Sequence, residues 1–181
     1  DFNARWNCGS IEEYTLNWIM DWKEGVGRGR GGEETSNVIH SIQQTSICGV
    51  AFQFLHPIHR KPVEGTVLVF SDVQDKTAVA AITIENFIIE KLCDQYELFR
   101  HLWENLKVRH GNYDAGRHYY CGVFLYHALF GKPSECKYKS RVQMFPGGHG
   151  KSGRVDGRAF GKAGVAGAVA ALLKSNERLR T

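Results

Sequence analysis

ICGVAFQFL (Ile47–Leu55) and TVLVF (Thr66–Phe70) are the two segments that decide the fold class of this sequence. Both are short and rich in β-branched and aromatic residues, and Pro57 and Pro62 lie between them. This pattern predicts two β-strands. The run VAAITI, from Val79 to Ile84, fits a third strand, although its alanines also suit a helix.

Helical periodicity surrounds these segments. Apolar residues recur every three or four positions from Ile88 to Leu106, which predicts a helix that the stretch RHGNYDAG ends. The same spacing, behind a capping box, predicts a helix from Ile11 to Lys23. CGVFLYHALF predicts another helix, ended by Gly131. RVQMF then predicts a strand, PGGHGKSG a loop and GRAFGKAGVAGAVAALLK a terminal helix.

The order of these elements predicts an α/β layered domain, with a mixed or mostly parallel central sheet flanked by helices. A chain of 181 residues that is 43% apolar is long enough to bury one core. We assign residues 41–181 to this domain. Residues 1–40 comprise the N-terminal helix and a Gly/Arg-rich loop, and this segment either packs on the domain or extends from it.

Composition narrows the classes of function. The five cysteines are widely spaced without a C-x-x-C pair, which argues against a disulfide framework or a zinc knuckle and favours the cytoplasm or another reducing compartment. No run is long and apolar enough to span a membrane. His56 and His59 have no evident third ligand, so we expect no metal and no cofactor.

The stretch DAGRHYYCGVFLYHAL, from Asp114 to Leu129, carries the most specific chemistry. It places Cys121 at the junction of a glycine-containing turn and a predicted helix. Backbone amides and the positive end of the helix dipole stabilise a thiolate there, and the amides near Gly122 could hold an oxyanion. Arg117 adds positive potential if it faces the same pocket.

This stretch resembles the cysteine segment of the type I pyroglutamyl peptidases, D-A-G-R-Y-x-C followed by an aromatic-rich helix. RVQMFPGG and the closing Gly/Ala helix resemble the family's next strand and helix, so the resemblance covers mainly residues 114–173. It implies that Cys121 is the nucleophile. ITIEN resembles the family's T-L-E segment, which implies that Glu85 is the acidic member of a triad.

The family's catalytic histidine has no counterpart at its own position, where this sequence has Met144. A cysteine hydrolase needs a base that takes the thiol proton and returns it to the leaving amine. His149, five residues further on, is the nearest substitute. The family's G-F-G-P-F loop is also absent, and one extra residue separates Arg117 from Cys121.

Two functions follow from these observations. The first is a cysteine hydrolase that removes N-terminal pyroglutamyl residues from peptides, with Cys121, His149 and Glu85 as catalytic residues and with Arg117 and Gly122 binding substrate. The second is a catalytically inactive peptidase-like fold that serves as a structural or binding subunit, with the N-terminal segment contacting protein partners.

Three weaker signals remain. The string NCGS around Cys8 resembles the segment around papain-type nucleophiles, but an Ala/Gly helix follows His149 where those enzymes have strands. PGGHGKSG lacks the first glycine of a nucleotide-binding loop, which leaves generic anion binding through Lys151. The loop around Arg28 and Arg30 could contact RNA, yet no nucleic-acid-binding motif accompanies it, so a solvated loop is favoured.

Overall fold

The structure is a computed structural model that describes residues 11–27, 44–71, 76–131 and 137–145. These residues form five strands and three helices. In chain order the elements are β1 (Thr15–Gly27), β2 (Gln44–Leu55), β3 (Pro62–Ser71), α1 (Ala78–Gln95), α2 (Glu97–Glu104), β4 (Val108–Asp114), α3 (Gly122–Phe130) and β5 (Lys139–Phe145).

The strands form one mixed sheet in the order β3-β2-β1-β4-β5. The first three strands are a meander, because β1 pairs antiparallel with β2 and β2 pairs antiparallel with β3. After α1 and α2 the chain returns to the other side of β1, where β4 pairs parallel with it. β5 pairs parallel with β4 after α3. The predicted α/β layered domain is therefore confirmed.

All three helices pack on one face of the sheet. Alternate residues of the central strands point toward this face, and Leu16, Trp18 and Met20 of β1 are fully buried there. Phe99 of α2 contacts Phe52 of β2, with ring centroids 5.4 Å apart. Phe124 of α3 lies 4.8 Å from the ring of Tyr113 in β4. These contacts place the apolar core between the sheet and the helices.

The helix predicted from Ile11 to Lys23 is wrong, because β1 occupies most of this stretch and forms the middle of the sheet. Its residues alternate between the two faces of the sheet, and Thr15 and Asn17 are buried on the face opposite Leu16 and Trp18. Trp18 and Trp22, whose spacing of four fits one face of a helix, also lie on one face of β1, because four is a multiple of the strand period of two.

The region between Thr77 and Leu106 forms two helices. VAAITI lies in α1 rather than in a strand, since α1 begins at Ala78 with Thr77 as its cap. Tyr96 has extended backbone angles (φ −126°, ψ 103°) and ends α1 before α2 begins. The predicted single helix from Ile88 to Leu106 is thus divided in two.

Other sequence predictions had mixed outcomes. The strands predicted at Ile47–Leu55 and Thr66–Phe70 are confirmed within β2 and β3, RVQMF lies in β5, and CGVFLYHALF forms α3. The stretch RHGNYDAG was expected only to break a helix, whereas most of it forms β4. The Gly/Arg-rich loop beyond Gly27, the PGGHGKSG loop and the terminal helix lie outside the described residues.

Candidate active site

Cys121 lies where the chain passes from β4 into α3. The turn after β4 is closed by backbone hydrogen bonds from Tyr119 N (3.0 Å) and Tyr120 N (2.7 Å) to the carbonyl of Gly116. Cys121 follows with an extended backbone (φ −145°, ψ 157°) and caps α3, whose first residue is Gly122. The local prediction of a cysteine at a helix start is therefore confirmed.

This position lies at the carboxyl edge of the parallel strands. β4, α3 and β5 form a βαβ unit, and Asp114 at the end of β4 is the register partner of Phe145 at the end of β5. In open α/β sheets, ligands commonly bind in the crevice outside the carboxyl ends of the strands. The cysteine thus lies at the edge where this class of fold usually places its chemistry.

The thiol is half-buried, like that of Cys93, and neither of these cysteines nor the buried Cys48 belongs to a disulfide. Its Sγ lies 3.8 Å from the carbonyl oxygen of His118, to which the thiol can donate. The first turn of α3 receives no capping hydrogen bond from the Cys121 side chain. Its first amides therefore lack the side-chain acceptor that caps many helices.

The predicted binding residues lie beside this thiol in the chain. Gly122 is exposed, and a Cβ atom built on it would meet no other atom within 4 Å. The space beside the α-carbon of this first helical residue is consequently open. Arg117 is exposed in the turn between β4 and α3, so its guanidinium is accessible to a substrate.

Glu85, which the resemblance makes the acidic member of a triad, is surrounded by hydrogen-bonding side chains. It lies in α1 and its side chain is fully buried. Its carboxylate accepts hydrogen bonds from Arg109 Nη2 and from Tyr113 Oη (2.8 Å), and it lies 3.1 Å from Nε2 of His127. Arg109 Nη2 also donates to Tyr113 Oη, at 3.0 Å. We call Glu85, Arg109, Tyr113 and His127 the buried carboxylate cluster.

The electrostatics of this cluster keep Glu85 ionised. Burial raises the pKa of the Glu85 carboxyl. The Arg109 guanidinium and the hydrogen bonds with His127 and Tyr113 lower this pKa by more, so the net shift is downward. For the Arg109 guanidinium, burial lowers the pKa while Glu85 raises it, and the net shift is upward. Burial is the main cause of the raised pKa of Tyr113. The cluster therefore pairs one buried anion with one buried cation.

The hydrogen bonds of the buried carboxylate cluster do not include the Cys121 thiol. Cys121 and His127 are six residues apart at opposite ends of α3, which corresponds to about 9 Å along a helix axis. A Cβ atom at Gly131 would lie 2.5 Å from Nδ1 of His127, so this nitrogen faces the carboxyl end of the helix. The structure brings Glu85 together with His127 and leaves Cys121 at the other end of α3.

Sequence reasoning missed Arg109, Tyr113 and the role of His127. Arg109, Gly111 and Tyr113 alternate along one face of β4, and this period of two was the available signal. Gly111 is required there, because a Cβ atom at this position would lie 2.7 Å from the Tyr113 hydroxyl. His127 could be placed on a helix, but its pairing with Glu85 depends on how α1 and α3 pack.

His118 is a second histidine close to Cys121 in the chain. Its ring lies 4.2 Å from the ring of Tyr119 and 6.3 Å from that of Trp22. Partial burial lowers its pKa, Asp114 opposes this effect, and Lys76 reinforces it. The imidazole is therefore neutral at neutral pH, and its buried Nε2 has no hydrogen-bond partner among the described residues.

The other residues that the sequence singled out lie either outside the described residues or away from Cys121 in the chain. His149, Cys8, Lys151 and the Arg28/Arg30 loop lie outside the described residues. His56 and His59 have ring centroids 4.5 Å apart, and Nδ1 of His56 accepts from the amides of Ile58 and His59. In the described ranges no cluster of three or more His, Cys, Asp or Glu residues could hold a metal ion.

Comparison with known proteins gave no match: no family model, no curated protein and no solved structure is significantly similar to this chain. None of the three helices in the described part of the chain has the length and apolarity needed to cross a bilayer.

Proposed function

We propose that this chain is a cysteine hydrolase that resembles pyroglutamyl peptidase I and removes N-terminal pyroglutamyl residues from peptides. The observation that carries the proposal is the position of Cys121. It caps α3 at the carboxyl edge of β4, with open space over Gly122. A nucleophile at a helix start has nearby amides to stabilise both its thiolate and an oxyanion.

The reaction proceeds in two steps. The Cys121 thiolate adds to the carbonyl carbon of the pyroglutamyl amide, and the amide C–N bond breaks as a protonated base donates a proton to the leaving amine. Water then attacks the thioester and gives its proton to the base. Free pyroglutamate leaves and the thiol is regenerated. Amides at the start of α3 bind the oxyanion in both steps.

His149 is the proposed base. Three residues separate it from Phe145, the last residue of β5, and the four Cα–Cα steps between them reach at most about 14 Å. Because Phe145 pairs with Asp114, the segment that carries His149 starts at the same sheet edge as the Cys121 turn. Glu85 acts at a distance in this proposal, by holding α3 through His127.

The test is turnover of a fluorogenic pyroglutamyl amide by the full chain. Cys121→Ala should abolish turnover, whereas Cys93→Ala, which removes another half-buried thiol, should leave it unchanged. His149→Gln should lower kcat by about 10²- to 10⁴-fold, with His118→Gln as the matched control. Turnover that survives Cys121→Ala, or no turnover by the folded wild-type chain, would refute the peptidase.

The second candidate function is a non-catalytic binding subunit. It is favoured by the exposed side of α3, where Val123, Tyr126 and Phe130 are 60%, 69% and 64% exposed and Tyr120 precedes them at 66%. Exposed apolar patches of this kind commonly mark interaction surfaces. An inactive wild-type chain that recovers a partner from a lysate only when Tyr126 and Phe130 are intact would support this function.

A further inference from the structure

A large cavity lies away from the Cys121 site, between the edge of the sheet and two helices. Its volume is about 550 Å³, and its walls come from β2, β3, α1 and α2. Volumes of roughly 300–1,000 Å³ are typical of small-molecule sites. The space is open to solvent, so a ligand of this size can enter it.

The back wall of this cavity is apolar and well packed. Phe52, Phe54 and Phe99 are buried, and the ring of Phe99 meets the other two at centroid distances of 5.4 and 6.2 Å. The Phe52 ring also lies over Gly65, where a Cβ atom would come within 2.2 Å of it. A side chain at this position would push the ring out of place, so the glycine helps to preserve the shape of the wall.

The sides of the cavity are aliphatic. Ile88 and Leu92 of α1, Leu98 of α2, and Val63 and Val67 of β3 line it. Ile88 and Leu92 are buried, while Leu98 and the two valines are half-buried. A ligand that fills the cavity must therefore present a mainly apolar body, because burying polar groups against these walls would cost free energy.

Charge distinguishes the two rims. Lys91 of α1 stands on the helix side, 3.7 Å from Asp94 in a pair whose side chains are about half exposed. Such exposed pairs contribute little free energy, so the ammonium can turn toward a ligand. Glu64, on the strand side, turns its carboxylate to the other face of the sheet, where its Oε1 accepts a hydrogen bond from Gln53 Nε2 at 2.8 Å. The helix rim thus offers a cation, and the Glu64 carboxylate does not face the cavity.

We propose that this cavity binds a fatty acid, with its alkyl chain against Phe52, Phe54 and Phe99 and its carboxylate near Lys91. The apolar walls match the chain, and the single cation on the helix rim matches the head group. The proposal is independent of the hydrolase function, because none of these residues belongs to the Cys121 turn or to the buried carboxylate cluster.

Calorimetric titration of the full chain with dodecanoate and with dodecanol tests both parts of the proposal. We expect saturable binding of both ligands. Leu98→Trp, which fills the cavity, should weaken both by more than tenfold, whereas Val123→Trp, which adds the same ring to the exposed side of α3, should weaken neither. Circular dichroism and cooperative urea unfolding of each variant establish that it folds.

The position of the carboxylate near Lys91 is tested by comparing how one substitution affects the binding of the two ligands. Lys91→Gln should weaken dodecanoate binding about tenfold and leave dodecanol binding unchanged, because only the carboxylate interacts with the ammonium. Lys107→Gln, at a lysine that does not line the cavity, is the matched control. The site is wrong if neither ligand binds saturably or if Leu98→Trp has no effect. The carboxylate position is wrong if Lys91→Gln affects both ligands equally.

Discussion

Glu85 supplies the negative charge of the buried carboxylate cluster. It is a fully buried anion, and its oxygens are bound by Arg109, Tyr113 and His127. Breaking a buried ion pair by removing one charge leaves the other uncompensated in a medium of low dielectric constant. Conservative replacement of Glu85 therefore tests the cluster directly.

We predict that Glu85→Gln lowers the free energy of unfolding by about 3–5 kcal/mol, because Arg109 then remains buried without a counter-charge. Urea denaturation measures the change. Glu90→Gln, on the exposed side of the same helix, should change stability by less than about 0.5 kcal/mol. A loss from Glu85→Gln as small as that of the control would contradict the stabilising role of the cluster.

The lowered pKa of Glu85 also predicts how stability depends on pH. A carboxyl whose pKa is lower in the folded state than in the unfolded state stabilises the fold above its unfolded pKa of about 4.3. This stabilisation is lost as the pH falls below that value toward the folded pKa. The stability difference between wild type and Glu85→Gln should thus be constant from pH 6 to 7 and shrink in acid. A difference independent of pH down to the acid transition would argue against the lowered pKa.

At the scale of the element, the start of α1 is fixed by one side chain. The Oγ1 of Thr77 accepts a hydrogen bond from the amide of Ala80 at 3.2 Å. This contact satisfies one of the amides that a helix start otherwise leaves unpaired. Because α1 carries Glu85 and one wall of the cavity, its first turn supports both sites.

We predict that Thr77→Ala lowers the free energy of unfolding by about 1 kcal/mol, through loss of this cap. Thr83→Ala is the matched control, since Thr83 lies on the exposed side of the middle of α1 and Ala has the higher helix propensity. It should leave stability unchanged or slightly raised. Equal losses from both substitutions in thermal unfolding would show that Thr77 does not act as a cap.

At the scale of the whole molecule, the sheet has central strands that are hydrogen-bonded on both sides and two outer strands. β1 is hydrogen-bonded to β2 on one side and to β4 on the other. Among the described strands, β3 and β5 stand at the two ends of the order. Local opening requires less free energy where fewer bonds and buried contacts must be broken.

Amide hydrogen exchange should reflect this arrangement. We predict that the amides of Leu16 and Trp18 in β1 exchange most slowly and only through global unfolding, with a free energy that matches denaturant unfolding. Amides of β3 and β5 should exchange through smaller openings. Protection in β3 or β5 equal to that in β1 would contradict this order of local stabilities.

Residues and short spacings alone were sufficient for several features. Runs rich in β-branched and aromatic residues predicted β2 and β3, because such side chains are enriched in strands. Helical spacing and a terminating glycine predicted α3, and the glycine turn before it placed Cys121 at a helix start. These features depend on contacts between residues close in sequence, which the chain order already contains.

The tertiary structure decided the rest. It made Thr15–Gly27 a central strand, because pairing with β2 and β4 buries both of its faces and outweighs a helical pattern. It also joined Glu85 to Arg109, Tyr113 and His127 across separations of 24, 28 and 42 residues. Such partners depend on which helix packs on which strand. Local propensity carries no information about that choice, so only the folded chain reveals the buried carboxylate cluster.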